Sequence, residues 1–468
     1  MFVERWATEL RRRAVPNRWA HTFGVISMAA MLVLLVTGLY LMYFYDASSE
    51  YVTYDGSYAP LRGADVSLAY ASTLHLSLEV RGGLLARQAH HWSALVLPAS
   101  LMLQLFSTFV TGAFRKPRRG MWLLLFATFV LALAAGVTGY AMPDDSLSGT
   151  GLRIMNGMML GIPVIGAPLA LFLFGGEFPG RVLENFYPLH VFVLPGLIAA
   201  VVALRLRLAY RRGPLLAARS RDDSEPMTAP ALGATVARSG GLFFIAAGVL
   251  VIMGGTMTVA PIWLYGPAES DTAAAGSQPD WYMAFLDGAL RLVPPGWELV
   301  LWGRTWPLAL LVPLGVVGVL LMLVAIYPFI EGWLSHDDHE HHVLDRPRDN
   351  PTRTGAGAAG AVFYGALLVS GGVDVIATEL HLSFNDLIYF FRVTIVLGPV
   401  LAFVVTRAIC IGLQHQDRTK EAVGFETGTI VRGPDGGYTE LHRPLQKTSV
   451  PLPGTGVDEV PSRRDSAA

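Results

Sequence analysis

Eight apolar runs, each close to the length that crosses a bilayer, constrain this chain more than any other feature. They fall at about 22–45, 91–113, 120–142, 188–209, 240–264, 308–329, 358–379 and 387–410. A span needs roughly 20 apolar residues. In hydrocarbon each segment has to satisfy its own backbone polar groups, so helices are expected. The expected fold class is therefore an all-α integral membrane protein of eight transmembrane helices, a four-helix bundle followed by four more. An apolar fraction of 53% and a charged fraction of only 15% agree with that, the charges gathering between the runs.

The charges also orient the chain. Arg115, Lys116, Arg118 and Arg119 follow the second run, and Arg205, Arg207, Arg211, Arg212, Arg219 and Arg221 cluster at and after the end of the fourth. The stretches 143–187 and 266–305 carry more acids. Because basic loops stay in the cytoplasm, both termini are expected there, in a multi-pass protein of the cell membrane. Met1 to Arg18 is basic and amphipathic, and is read as retained rather than cleaved. The expected organisation is an N-terminal bundle over 1–210, a cytoplasmic Pro/Ala-rich linker over 211–237, a second membrane unit over 238–413, and a tail over 414–468 whose last twenty residues are expected to be disordered.

Composition removes several function classes. A formal net charge of -1, with no basic tract interleaved with aromatics, gives no reason to expect a nucleic-acid partner. One cysteine, Cys410, excludes a disulfide framework, a cysteine zinc site and a cysteine-held iron–sulfur cluster within the chain. Redox chemistry, if present, has to use histidine ligands or a partner.

Two histidines answer that description. His90 and His190 stand in the first turns of the second and fourth runs. Those runs point the same way, so the pair shares the outer side. Ionisable groups inside a membrane are costly and functional by default, and two facing imidazoles can hold one haem iron from both sides, an arrangement suited to electron transfer. The competing reading is two helix-end histidines snorkelling to the interface. Arg87, about one turn before His90, is placed to pair a haem propionate. Gly38 and Gly139, near the outer ends of the first and third runs, leave room for a flat macrocycle. His91 points about 100° away from His90 and is expected to be packed or bonded to a neighbour.

His90 and His190, with Gly-Tyr-Ala-Met-Pro-Asp-Asp at 139–145 and above all Pro279-Asp280-Trp281-Tyr282, resemble the cytochrome b subunit of respiratory bc-type complexes. The resemblance covers most of the chain. It looks closest to the actinobacterial menaquinol form through Ser-Gly-Thr-Gly-Leu-Arg at 148–153, Phe-Gly-Gly-Glu-Phe-Pro-Gly at 174–180 and Leu-Asp-Arg-Pro-Arg-Asp at 344–349. It implies a menaquinol:cytochrome c reductase subunit that oxidises quinol at an outer site lined by 279–282. The implied partners are a Rieske iron–sulfur subunit and a cytochrome c subunit, in a homodimer of complexes. The chemistry suits the loop: a carboxylate partly desolvated beside Trp281 and Tyr282 can accept a quinol proton, and Tyr282 can hydrogen-bond the quinol. The competing reading makes Asp280 the N-cap of a short surface helix.

The family also implies a second haem near the inner face, held fourteen or so residues further along each ligand helix. Fourteen residues make nearly whole turns and rise about 21 Å, so both ligands of a helix face the same core. Fourteen after His90 stands Gln104; fourteen and fifteen after His190 stand Leu204 and Arg205. Leu125 stands fourteen before Gly139, whereas Gly24 is retained fourteen before Gly38. One haem b is therefore expected, at the outer side. Two further readings stay open: a single-haem, non-bifurcating paralogue, and a structural subunit with vestigial sites.

Three other features are read as ordinary. The run from His336 to His342 matches no fixed zinc spacing, His381 sits at a turn, and Asp374 and Glu379 read as helix-end pairs.

Overall fold

A computed structural model of the chain describes residues 20–212, 215, 232–269 and 277–443. The N-terminal basic segment, most of the expected linker and the end of the tail lie outside the described residues.

The spanning helices are α1 (Ala20–Met42), α3 (Gly83–Val110), α4 (Arg119–Ala141), α7 (Val182–Arg212), α8 (Leu232–Thr256), α11 (Leu308–Ser335) and α14 (Phe384–Val423). An eighth forms from α12 (Pro351–Ser370) and α13 (Val373–Glu379), bent by 63° at Gly371-Gly372. Between α1 and α3 lie the strands β1 (Tyr51–Thr53) and β2 (Asp65–Ser67) and the surface helix α2 (Leu68–Leu78). Between α4 and α7 lie α5 (Ser146–Leu160) and α6 (Gly166–Phe174). The short helices α9 (Ile262–Tyr265) and α10 (Ala284–Leu292) and the strands β3 (Leu299–Leu301) and β4 (Arg304–Trp306) separate α8 from α11. After α14 come β5 (Phe425–Arg432) and β6 (Tyr438–Arg443), paired antiparallel.

Several boundaries differ from the sequence reading, each for a local reason. Helix α3 begins at Gly83 rather than at 91, so His90 lies two turns inside it, not at its mouth. The run Leu84-Leu85-Ala86 propagates the helix through Arg87, which depresses hydropathy but is a good helix former. His190 is likewise two turns into α7. Helix α8 stops at Thr256, after Gly254-Gly255, rather than continuing to 264. Helix α14 runs for 40 residues, about 60 Å, twice the hydrocarbon thickness. The expected boundary at 413/414 therefore falls inside a helix, and the tail opens with ordered structure.

Helices α1 and α3 run antiparallel with Gly38 against His90 and Gly24 against Gln104. Their packing forms one contiguous apolar core with α4, α8, α10 and α12, through Ala30, Leu97, Leu101, Leu125, Phe129 and Phe285. Large apolar side chains such as Leu39, Phe192 and Val396 face outward, as expected where the surrounding solvent is lipid.

The two ends differ. At the arginine end, Arg115 pairs with Asp345 at 2.7 Å and the buried Arg353 reaches both Asp345 and Glu331, clasping the α3–α4 turn to the start of α12. At the histidine end, Asp145 caps α5, accepting from Ser148 N at 2.8 Å while Ser148 Oγ accepts from Asp145 N at 3.0 Å. There Tyr70 Oη and Tyr58 Oη donate to the carbonyls of Ile262 and Trp263.

Candidate functional site

His90 and His190 face each other across the bundle with ring centroids 6.2 Å apart and planes at 63°. That separation is near the about 6.4 Å set by two metal–imidazole bonds of roughly 2 Å and two ring radii. Local structure fixes which nitrogen each ring offers. Thr37 gives its hydroxyl proton to Val33 O at 2.6 Å, so its oxygen accepts from His90 Nδ1 at 2.9 Å. His190 Nδ1 donates to Ala135 O at 3.0 Å, with Thr138 Oγ1 3.1 Å away. Both rings thus carry the proton on Nδ1 and keep the Nε2 lone pair for a metal, the arrangement that orients ligand histidines.

The backbone of α7 helps to aim its ring. Leu194 N–H bonds to Leu189 O, five residues back, in a π turn over Leu189–Val193. Pro195, which cannot donate, follows immediately. Such single-turn bulges gather at functional sites.

Each histidine lies against a glycine of the neighbouring helix. A Cβ on Gly38 would stand 3.2 Å from His90 Cε1, and one on Gly139 would stand 2.6 Å from His190 Cε1. Arg87, 8% exposed, donates to Ala260 O at 2.8 Å and lies over the Trp263 ring at 5.9 Å, while its buried Nε has no partner. A buried guanidinium nitrogen without an acceptor fits an anionic group in its reach, since leaving it unmet costs about 1–3 kcal/mol.

The 279–282 loop comes to the same end of the bundle. Asp280 occupies the N-cap position of a short 3₁₀ turn over Trp281–Met283, but its side chain makes no capping bond. Instead Oδ1 accepts from His91 Nε2 at 3.0 Å and Oδ2 accepts from Tyr282 Oη at 2.9 Å. The neighbour that the sequence left unnamed for His91 is thus this carboxylate. Trp281 Nε1 donates to Leu95 O at 3.2 Å, tying the loop to α3. Burial and the Asp280 carboxylate push the Tyr282 phenol well above its ordinary range, so it stays an O–H donor. Asp374 pairs with Arg291 at 3.0 Å and accepts from Gln278 Nε2, which steadies the residue before Pro279.

Gly136 is a site residue that sequence reasoning missed. A Cβ there would stand 2.6 Å from Tyr282 Cζ, so the tyrosine ring seats on bare backbone of α4. Its only sequence signal is that it lies one turn before Gly139 on the same face. Gly254 does the same for α3: a Cβ would meet the Ala89 backbone at 2.6 Å.

Fourteen residues along α3 the pattern changes. A Cβ on Gly24 would stand 2.9 Å from Gln104 Nε2, so the amide lies in that glycine's notch. Ser27 and Ser100 hydroxyls lie 2.8 Å apart between the two levels, and Leu125 is 1% exposed. The π turn adds a residue to α7, so the inward position beyond His190 is Arg205, half-buried with an unpartnered Nε, while Leu204 is 45% exposed. Two of the four histidines in 336–342 pair with acids: His341 Nε2 meets Asp337 at 2.8 Å and His342 meets Glu340 at 3.4 Å.

A bundle of membrane-spanning helices with two histidines facing each other in its core is the architecture expected of a membrane cytochrome of the b type, and the comparisons with known proteins place the chain in that class. The family profile described as Cytochrome b(N-terminal)/b6/petB matches residues 95–267. The chain is 43% identical over 438 residues to the cytochrome bc1 complex cytochrome b subunit of Streptomyces coelicolor, covering 93% of this chain and 80% of that one. It is 38% identical over 451 residues to the subunit of the same name from Corynebacterium efficiens, covering 95% and 83%. The chain belongs to this family: it is a cytochrome b subunit of the bc1 type. A solved structure of a hyperthermophilic respiratory Complex III shares the fold, with a TM-score of 0.64 at 16% identity, covering 87% of this chain and 97% of that one.

Proposed function

We propose that this chain oxidises quinol, menaquinol in the first instance, at the loop formed by Pro279, Asp280, Trp281 and Tyr282. On this reading the histidine end faces outward from the plasma membrane, and both termini and the arginine end lie in the cytoplasm. The observation that carries the reading is the Asp280 carboxylate, held between Tyr282 and the residue next to His90. One bonded chain thereby joins a proton acceptor to the helix that carries the haem ligand.

Oxidation of a quinol to its quinone releases two electrons and two protons. Asp280 accepts a proton at a carboxylate oxygen, releasing its bond from Tyr282 or His91 as it does so. Tyr282, kept protonated, donates to a quinol or quinone oxygen, and Trp281, anchored at Leu95 O, limits water at the loop. His90 and His190 would hold haem b by Nε2, with Gly38 and Gly139 leaving room for the two imidazole rings and Arg87 pairing a propionate. When bound, that haem would supply reversible one-electron chemistry. One electron would pass to that haem and the other to a Rieske-type iron–sulfur protein and on to a c-type cytochrome, while the second proton leaves to the outer aqueous side. The relatives named as bc1 complex subunits support assembly into such a complex; a dimer of complexes is part of the same proposal.

The test is reduction of the b-type absorption band by a menaquinol analogue in the purified complex. Asp280→Asn is expected to slow it by about 10²–10⁴-fold while leaving the dithionite-reducible band unchanged. Reduction at the full rate in that variant sinks the assignment of Asp280.

A further inference from the structure

The chain contains two levels built on one register, and they can be compared without reference to any relative. At the outer level α1 presents Gly38 to His90 of α3. Fourteen residues inward on both helices, α1 presents Gly24 to Gln104 of α3. On the other pair, Gly139 of α4 faces His190 of α7, and the corresponding inward positions are Leu125 and Arg205. If the inner level held a second haem, it would need two ligand atoms and room between them for the ring.

Neither is present. Gln104 offers an amide, whose nitrogen has no free lone pair and whose oxygen is a weak donor to iron. Arg205 is a permanent cation with no lone pair to give. The side chain seated over Gly24 is the Gln104 amide, 2.9 Å from where a Cβ would stand, whereas those seated over Gly38 and Gly139 are imidazoles, which can ligate a metal. Where Gly139 has the His190 ring against its backbone at the outer level, the inner level has Leu125, 1% exposed and packed into the main core. The Ser27–Ser100 contact at 2.8 Å draws α1 and α3 together just above Gln104.

We propose that the inner haem position is closed by Gln104 and Leu125, and that the chain holds one haem b, at the outer level alone. The inference rests on the haem-binding reading of His90 and His190. With about 21 Å of helix between the levels, this chain has no iron in its inner half to relay an electron across the membrane.

The experiment is haem content per polypeptide in the complex purified from its own membranes, by pyridine haemochrome, with a redox titration of the b band. The expected result is one haem titrating as a single wave, and none in His90→Ala. The double variant Gly24→Leu/Gln104→Ala, which moves the filling side chain from one helix to the other, is expected to keep that one haem and its potential; Gly38→Leu is expected to lose it. Two haems in the wild type, a haem retained in His90→Ala, or half the band lost in the Gly24 variant would overturn the proposal. No haem in folded wild-type protein would uphold the closed inner level and bring down the outer-site reading instead.

Discussion

The outer and inner levels of the first four spanning helices share a helical step and differ in what fills it. Outside, Gly38 and Gly139 each seat a histidine ring whose Nδ1 is tied to a neighbour. Inside, Gly24 is the one open position, and Gln104 lies in it. The difference shows that a helix register fixes where a site can be, whereas side-chain volume decides whether it exists. A glycine is informative only together with what stands opposite: the same notch seats a ring able to ligate a metal at His90 and an amide that cannot at Gln104.

The largest effect that would break this comparison is on stability at the inner level. Leu125 fills its site as an ordinary core residue, so Leu125→Ala is expected to cost about 2–5 kcal/mol, read as a lower denaturation midpoint of the detergent-solubilised complex, with no gain of haem. An unchanged midpoint would mean that the inner level is not packed and that the contrast between the levels fails.

A smaller effect sharpens the outer side. Thr37 fixes the His90 tautomer by accepting from Nδ1. Thr37→Val, similar in volume but without the acceptor, is expected to weaken haem retention by about 10–100-fold, and Thr37→Ser to restore it. Equal retention in Thr37→Val would show that packing against Gly38 alone sets the ring.

Much of this was legible in the sequence, and the rest hid for identifiable reasons. The eight apolar runs, His90, His190 and the 279–282 loop all have local signatures, so they could be read directly. The extents of α3 and α14 could not, because Arg87 in one and Gln414 to Lys420 in the other lower hydropathy while favouring helix. The His91–Asp280 bond joins residues 189 apart, and no periodicity encodes such a contact. Whether Leu204 or Arg205 corresponds to His190 turned on a π turn that adds one residue, a backbone feature with no signal beyond the flanking Pro188 and Pro195. Gly136 was passed over because a glycine in a membrane helix is common and Tyr282, which seats on it, is far away in sequence.

The comparison also says which end of the bundle responds to pH. The layer around Gln104 and Leu125 holds no acid among the residues named for it, and the acids of the arginine end, Asp345 and Glu331, are paired with arginines, whereas the cap over the outer level holds Asp144 and Asp145, both raised by burial. Burial pushes the Asp144 carboxyl up to about 6 from its ordinary 3.8, opposed by a hydrogen bond from Ser67 and assisted by repulsion from Asp145. Burial also pushes Asp145 up, opposed by its bonds from Ser148 and by Arg87. A carboxyl raised in the folded state binds its proton more tightly there than in the unfolded chain. Its contribution is therefore fully present below about pH 4 and is lost as pH rises to about 6; above that, the buried carboxylate is a net cost. Asp144 has φ of +49°, a conformation that asparagine tolerates well, so Asp144→Asn removes the charge without straining the turn. The variant is expected to flatten the stability profile between pH 4 and 6 and to gain on the order of 1–2 kcal/mol at pH 7. Thermal unfolding of the detergent-solubilised complex across that window checks it. An unaltered slope would place the pH response elsewhere and leave the two ends alike in this respect.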